Sequence, residues 1–114
     1  MALTIAEEQR KDVTILKLSG RLVLGDESND LRNTIKRLVD TGYKKIVVDL
    51  ADVPYIDSAG LGTLVSAFAS VSNAGGSMKL ANISKKIHDI LNITKLVTVF
   101  DVHDSVASAL KATA

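Results

Sequence analysis

At 114 residues, 46% of them hydrophobic and 24% charged, the chain has the size and composition of one globular domain around a single core. Its 14 basic and 13 acidic residues are mixed along the chain and leave a net charge of +1, so neither a basic field for nucleic acid nor an acidic tail is present. The absence of Cys removes disulfide and thiolate chemistry, and 4% aromatic residues without Trp argue against base-stacking platforms.

The opening "MALTIAEEQRKD" lacks the basic and apolar regions of a leader, and no apolar run reaches bilayer length, so a soluble, cytoplasmic chain without membrane insertion is expected. "LTI" (Leu3 to Ile5) and "VTILKL" (Val13 to Leu18) alternate at period 2 and, separated by "EEQRKD", predict an antiparallel strand pair. From Glu27 to Thr41, Leu31, Ile35, Leu38 and Val39 recur at helical spacing, with Ser28 or Asp26 as cap and Gly42 at the C-terminal end. "KIVVDL" (Lys45 to Leu50) reads as a strand buried on both faces at the sheet centre.

A second helix, from Ser58 to about Asn73, carries the stripe Leu61, Leu64, Val65, Phe68 and Val71, with Leu64 and Phe68 expected against the central strand. Then follow a strand "MKLAN" (Met78 to Asn82), a helix from Ser84 to Asn92, a strand "VTVF" (Val97 to Phe100), a helix from Asp104 and a tail "KATA" expected to fray. The order β-β-α-β-α-β-α-β-α predicts a single α/β domain over residues 1–114, with a mixed, mostly parallel central sheet and about four helices.

Catalysis finds little support. His88 and His103 have no Cys or carboxylate at ligand spacing and read as solvated side chains, so no metal and no cofactor is expected. Ser58 lacks the glycine two positions earlier that a nucleophile elbow needs, and "GLG" at Gly60 to Gly62 is followed by Val65 where a dinucleotide fingerprint wants glycine. The notable joint is "PYIDSAGLGTLVSAF" (Pro54 to Phe68), where Asp57 and Ser58 stand between an apolar strand and an apolar helix. Capping by Asp57 or Ser58 accounts for the polar pair. It does not account for Gly60 and Gly62, each of which costs a helix about 1 kcal/mol relative to Ala. Bare positions let another backbone approach, from this sheet or from a partner, and Gly60 is expected to serve binding more than folding. The joint also lies where ligands and partners meet open α/β sheets.

The run "IVVDLADVPYIDSAGLGTLVSAF" resembles the signature of STAS domains, specifically bacterial anti-sigma factor antagonists. "LKLSGRL" (Leu16 to Leu22) resembles the family's glycine-ended second strand and "DSAGLG" its phosphorylation-site loop. The resemblance implies a non-enzymatic binding module, a monomer when free. Its unphosphorylated form binds an anti-sigma factor that is also a serine kinase, freeing the sigma factor. Phosphorylation ends the binding and a metal-dependent phosphatase restores it. Carried onto this chain, the phosphoacceptor is Ser58, the partner-binding residues are Asp57, Ser58, Ala59, Gly60, Leu61 and Gly62, and Asp49 resembles an acidic residue beside the loop. Read from the residues alone, Asp49 is equally an exposed strand-end carboxylate. One departure stands out: where many members carry Asp in a G-x-L-D pattern, Gly20 is followed by Arg21, Leu22 and Val23. A STAS subunit of a lipid-transport or stressosome-like assembly, and a small-molecule or nucleotide sensor, remain alternative readings.

Overall fold

The computed structural model describes residues 3–23 and 25–113, and of residues 26–28 the backbone alone. Its elements are β1 (Thr4–Arg10), β2 (Val13–Ser19), α1 (Asp26–Asp40), β3 (Lys45–Asp52), α2 (Ser58–Asn73), β4 (Ser77–Ala81), α3 (Lys85–Ile93), a 3-10 turn (Leu96–Thr98), β5 (Asp101–His103) and α4 (Val106–Thr113). The strands form one sheet in the order β1-β2-β3-β4-β5, antiparallel between β1 and β2 and parallel thereafter. The α/β architecture expected from the element order is the one observed.

The period-2 geometry of β3 divides the core. Ile46, Val48 and Leu50 join the main cluster with Leu31, Ile35 and Leu38 of α1, Leu61, Leu64 and Val71 of α2, and Ile87 and Leu91 of α3. Val47 points the other way, into a smaller cluster with Val13, Ile15, Ala81 and Ala109 of α4. Three helices therefore cover one face and α4 the other, which makes β3 the doubly buried centre its β-branched run predicted. Two helices end on glycines with positive φ, Gly42 at 92° and Gly75 at 84°. Behind them, the amides of Tyr43 and Gly76 reach back to the carbonyls of Leu38 and Val71 at 2.8 and 2.9 Å.

Several boundaries differ from the sequence reading. The acidic "EEQR", taken as a separator, is part of β1, whose residues beyond Ile5 are all exposed on the sheet edge. An exposed edge strand has no buried face to impose alternation, and charges there protect the edge. Its turn is Lys11–Asp12, with Lys11 at φ 55°. The N-cap of α1 is Gly25, and no side chain caps the helix among the described residues; the Asp26 and Ser28 side chains lie outside them. "VTVF" is not a strand: the chain makes a 3-10 turn there, Val99 is exposed, and Phe100 is buried just before the short β5. A β-branched run pairs only where a neighbouring strand is in register, and β4 meets β5 at Asp101–His103. The last helix begins at Val106 behind the Ser105 hydroxyl, which accepts from the Ser108 amide at 3.0 Å. Of the tail expected to fray, Lys111 to Thr113 are helical, Thr113 is buried with its hydroxyl donating to the Ala109 carbonyl at 2.7 Å, and Ala114 lies outside the described residues. Phe68 is half-buried rather than set against the central strand, packing edge-to-face on Phe100 at 5.5 Å.

Candidate partner-binding and modification site

Beyond the register shift at Ser19, β2 and β3 stay linked as they leave the sheet. The Gly20 amide donates to the Asp52 carbonyl at 3.0 Å, the Leu22 amide to the Tyr55 carbonyl at 3.2 Å, and the Asp57 amide to the Leu22 carbonyl at 3.3 Å. Leu22 and Ile56, both buried, form an isolated parallel bridge. The loop after β2 is thus fastened along the loop that leads into α2. It fixes where the helix begins.

At that start, Asp57 is the N-cap in extended conformation, and its carboxylate accepts from the Gly60 amide at 2.8 Å. Ser58 is the first helical residue. It is exposed, and its hydroxyl has no hydrogen-bond partner among the described residues. Capping is therefore assigned to Asp57, and the Ser58 hydroxyl is left for other chemistry. Five residues later the next hydroxyl, Thr63, is 1% exposed and donates to the Ala59 carbonyl at 3.0 Å.

The two glycines prove unlike each other. A Cβ on Gly60 would stand 2.0 Å from the carbonyl oxygen of Leu22, whereas one on Gly62 would meet nothing within 4 Å. The backbone that approaches Gly60 belongs to this chain, so the expectation that Gly60 serves binding more than folding is corrected: its bareness is a requirement of the fold. Leu61 belongs to the main core cluster, which withdraws most of its surface from any partner. Ala59 is half-buried, and Ser58 and Gly62 are exposed.

Asp49 is not gathered into this group. It lies within β3 rather than at an exposed strand end, 8% exposed, and it alternates with the inward side chains so as to share the α4 face with Val47. Its Oδ1 accepts from the Ala51 amide at 3.0 Å and from the Asn82 side chain at 3.1 Å. Of the histidines, His88 is exposed and meets Asn92 at 3.1 Å. His103 is not a solvated side chain. It contacts the Ser108 hydroxyl through Nδ1 at 2.9 Å, and Nε2 lies 3.1 Å from Asp101 without hydrogen-bond alignment. Among the described residues no group of three or more His, Cys, Asp or Glu is placed to hold a metal ion.

Sequence reasoning missed Leu22 as the brace of the helix mouth, and Arg21, whose guanidinium lies 5.4 Å from the centre of the Tyr55 ring. Both depend on pairing between segments far apart in the chain, for which a single sequence carries no local signal.

Residues 4–109 match the STAS domain model, nearly the whole chain. The chain belongs to the STAS domain family. The anti-sigma-B factor antagonist of Bacillus subtilis is 38% identical over 72 residues, 63% of this STAS domain and 65% of the relative. The anti-sigma F factor antagonist of Paenibacillus polymyxa is 24% identical over 115 residues, covering 96% and 94% of the two chains. The Bacillus cell fate determinant SpoIIAA, solved in its phosphorylated form, superposes with a TM-score of 0.77 at 16% identity, covering 97% of this STAS domain and all of that chain, and so shares the fold. Among the described residues of the domain, no helix is long and apolar enough to cross a membrane.

Proposed function

We propose that this STAS domain is an anti-sigma factor antagonist acting by partner switching, controlled at Ser58. In the unmodified state the surface around Ser58 binds an anti-sigma factor that is also a serine kinase, and the sigma factor is released. The kinase transfers the γ-phosphoryl group of ATP to the Ser58 oxygen, whose proton leaves, and ADP departs. The added charge ends the binding, and a phosphatase hydrolyses the phosphoester to restore it. The domain acts in the cytoplasm as a monomer when free, with no catalytic centre of its own.

One observation carries this reading: Ser58 is an exposed hydroxyl at the first position of α2 with no capping duty, because Asp57 performs it. Nothing structural is lost when the hydroxyl is modified. A phosphate brings about −1.5 to −2 charges to the surface at the positive end of a helix, where the fold tolerates it. A docked partner must desolvate that charge or oppose it. The relatives named as anti-sigma factor antagonists, and the related fold solved in phosphorylated form, agree with this assignment.

The test uses the anti-sigma kinase encoded by a neighbouring reading frame. Incubation with ATP, followed by intact mass and peptide mapping, is expected to place one phosphate on Ser58, with Thr63, Ser66 and Ser70 as internal controls. Ser58→Ala is expected to bind the kinase persistently and Ser58→Asp to bind it less well. A phosphate elsewhere, or an Asp variant binding as tightly as the unmodified protein, overturns the proposal.

A further inference from the structure

We infer that Arg21 receives the phosphate of modified Ser58, exchanging its contact with the Tyr55 ring for a guanidinium–phosphate pair. This rests on the reading of Ser58 as a phosphoacceptor and adds to it the residue of this chain that answers the modification.

The loop bearing Arg21 is fastened to the site. Its neighbour Leu22 gives a carbonyl to the Asp57 amide at 3.3 Å and blocks the Cβ position of Gly60 at 2.0 Å, so it touches the chain on both sides of Ser58. Consecutive Cα atoms are about 3.8 Å apart, which puts the Arg21 backbone one residue from those contacts. Leu22 is buried with Ile56, while Arg21 and Tyr55, each one residue earlier, are exposed together. Among the described residues Arg21 is in no ion pair. Arg10 pairs with Glu8, Arg37 with Glu7 and Lys17 with Asp52, whereas among the described residues the Arg21 guanidinium faces the ring of Tyr55. A cation resting on an exposed ring is held weakly. The planar guanidinium fork matches two phosphate oxygens at once and is the stronger interaction.

The site needs such a cation once it is modified. Asp57 already uses the Gly60 amide, so a phosphate on Ser58 finds one helix-end donor taken and a carboxylate beside it. Like charges so close disfavour the doubly ionised phosphate unless a cation joins them. Arg21 supplies that charge, and its departure uncovers the face of Tyr55.

The experiment installs phosphoserine at position 58 during translation of the full chain, so it does not depend on any kinase. If kinase treatment fails to modify Ser58 the partner-switching reading falls, whereas the measurement on Arg21 still reports. The phosphate is titrated by 31P NMR in the otherwise wild-type protein and in Arg21→Ala and Arg21→Lys. Arg21→Ala is expected to raise the second phosphate midpoint by roughly 0.2 to 0.7 pH unit, the range of an exposed ion pair, and Arg21→Lys by less. About 0.5 M salt is expected to narrow the gap. The Tyr55 ring resonances are expected to shift on phosphorylation with Arg21 present and to stay in place with Ala there. Coincident titration curves in all three proteins, or Tyr55 shifts independent of residue 21, overturn the inference.

Discussion

The carbonyl oxygen of Leu22 occupies the space that a side chain on Gly60 would need, 2.0 Å from an ideal Cβ, and that same oxygen accepts a hydrogen bond from the Asp57 amide. One backbone atom thus holds the helix cap and forbids a methyl group two positions beyond Ser58. Retreat of the loop would break the bond to Asp57, so the clash cannot relax cheaply.

Gly60→Ala is accordingly expected to destabilise the domain by about 1 to 3 kcal/mol, the usual cost of overpacking. Gly62→Ala, facing open space, is expected to gain up to about 1 kcal/mol from helix propensity. Urea denaturation of the pair checks this. Equal effects of the same sign in the two variants would show that the Leu22 contact does not govern the helix mouth.

Asp57 and Ser58 are expected to separate cleanly in the same measurement. Asp57→Ala removes the acceptor of the Gly60 amide and is expected to cost about 0.5 to 2 kcal/mol. Ser58→Ala is expected to fall within about 0.5 kcal/mol of wild type, as for a surface change. A large loss from Ser58→Ala would return the capping role to the serine.

The edge-to-face pair of Phe68 and Phe100, with centroids 5.5 Å apart and planes at 75°, bridges α2 and the segment before β5. Because Phe68 is half-buried, Phe68→Ala is expected to cost less than the ~3 to 5 kcal/mol of a fully buried phenylalanine. Phe100→Ala, at a position 4% exposed, is expected to cost more. A double-mutant cycle is expected to give a coupling of about 0.5 to 1.5 kcal/mol.

Acid stability is expected to depend on Asp101. The hydrogen bond from Lys79, and secondarily the neighbouring His103, hold its carboxyl below the usual value of 3.8. A carboxyl with a depressed folded pKa contributes stability above its unfolded pKa, and that contribution is lost as pH falls through the folded value. Asp101→Asn is therefore expected to lose less stability than wild type between about pH 5 and pH 2. The difference is expected to be small, because the Asp101 side chain is half-exposed and the pair is screened by solvent. Urea midpoints across this range decide it, and identical pH profiles count against the Lys79–Asp101 pair.

How much was legible in the sequence followed from whether the signal was local. The stripes Leu31, Ile35, Leu38 and Leu61, Leu64, Val71, the continuous run Ile46 to Leu50 and the glycine at 42 each report on their own segment. From them the element order and the mixed, mostly parallel sheet could be read, because period, capping and turn chemistry act within a few residues. Asp57 as a cap was legible for the same reason. What only the tertiary structure decided depended on distant segments. Leu22 lies 38 positions from Gly60, yet its carbonyl turns that glycine from a candidate contact into a steric necessity. The sheet's alternation sends Asp49 to the α4 face and away from Ser58, and strand register places β5 at Asp101 instead of in the β-branched run before it. Sterics and hydrogen bonding across such separations depend on how the strands align, which no short stretch of the chain encodes by itself.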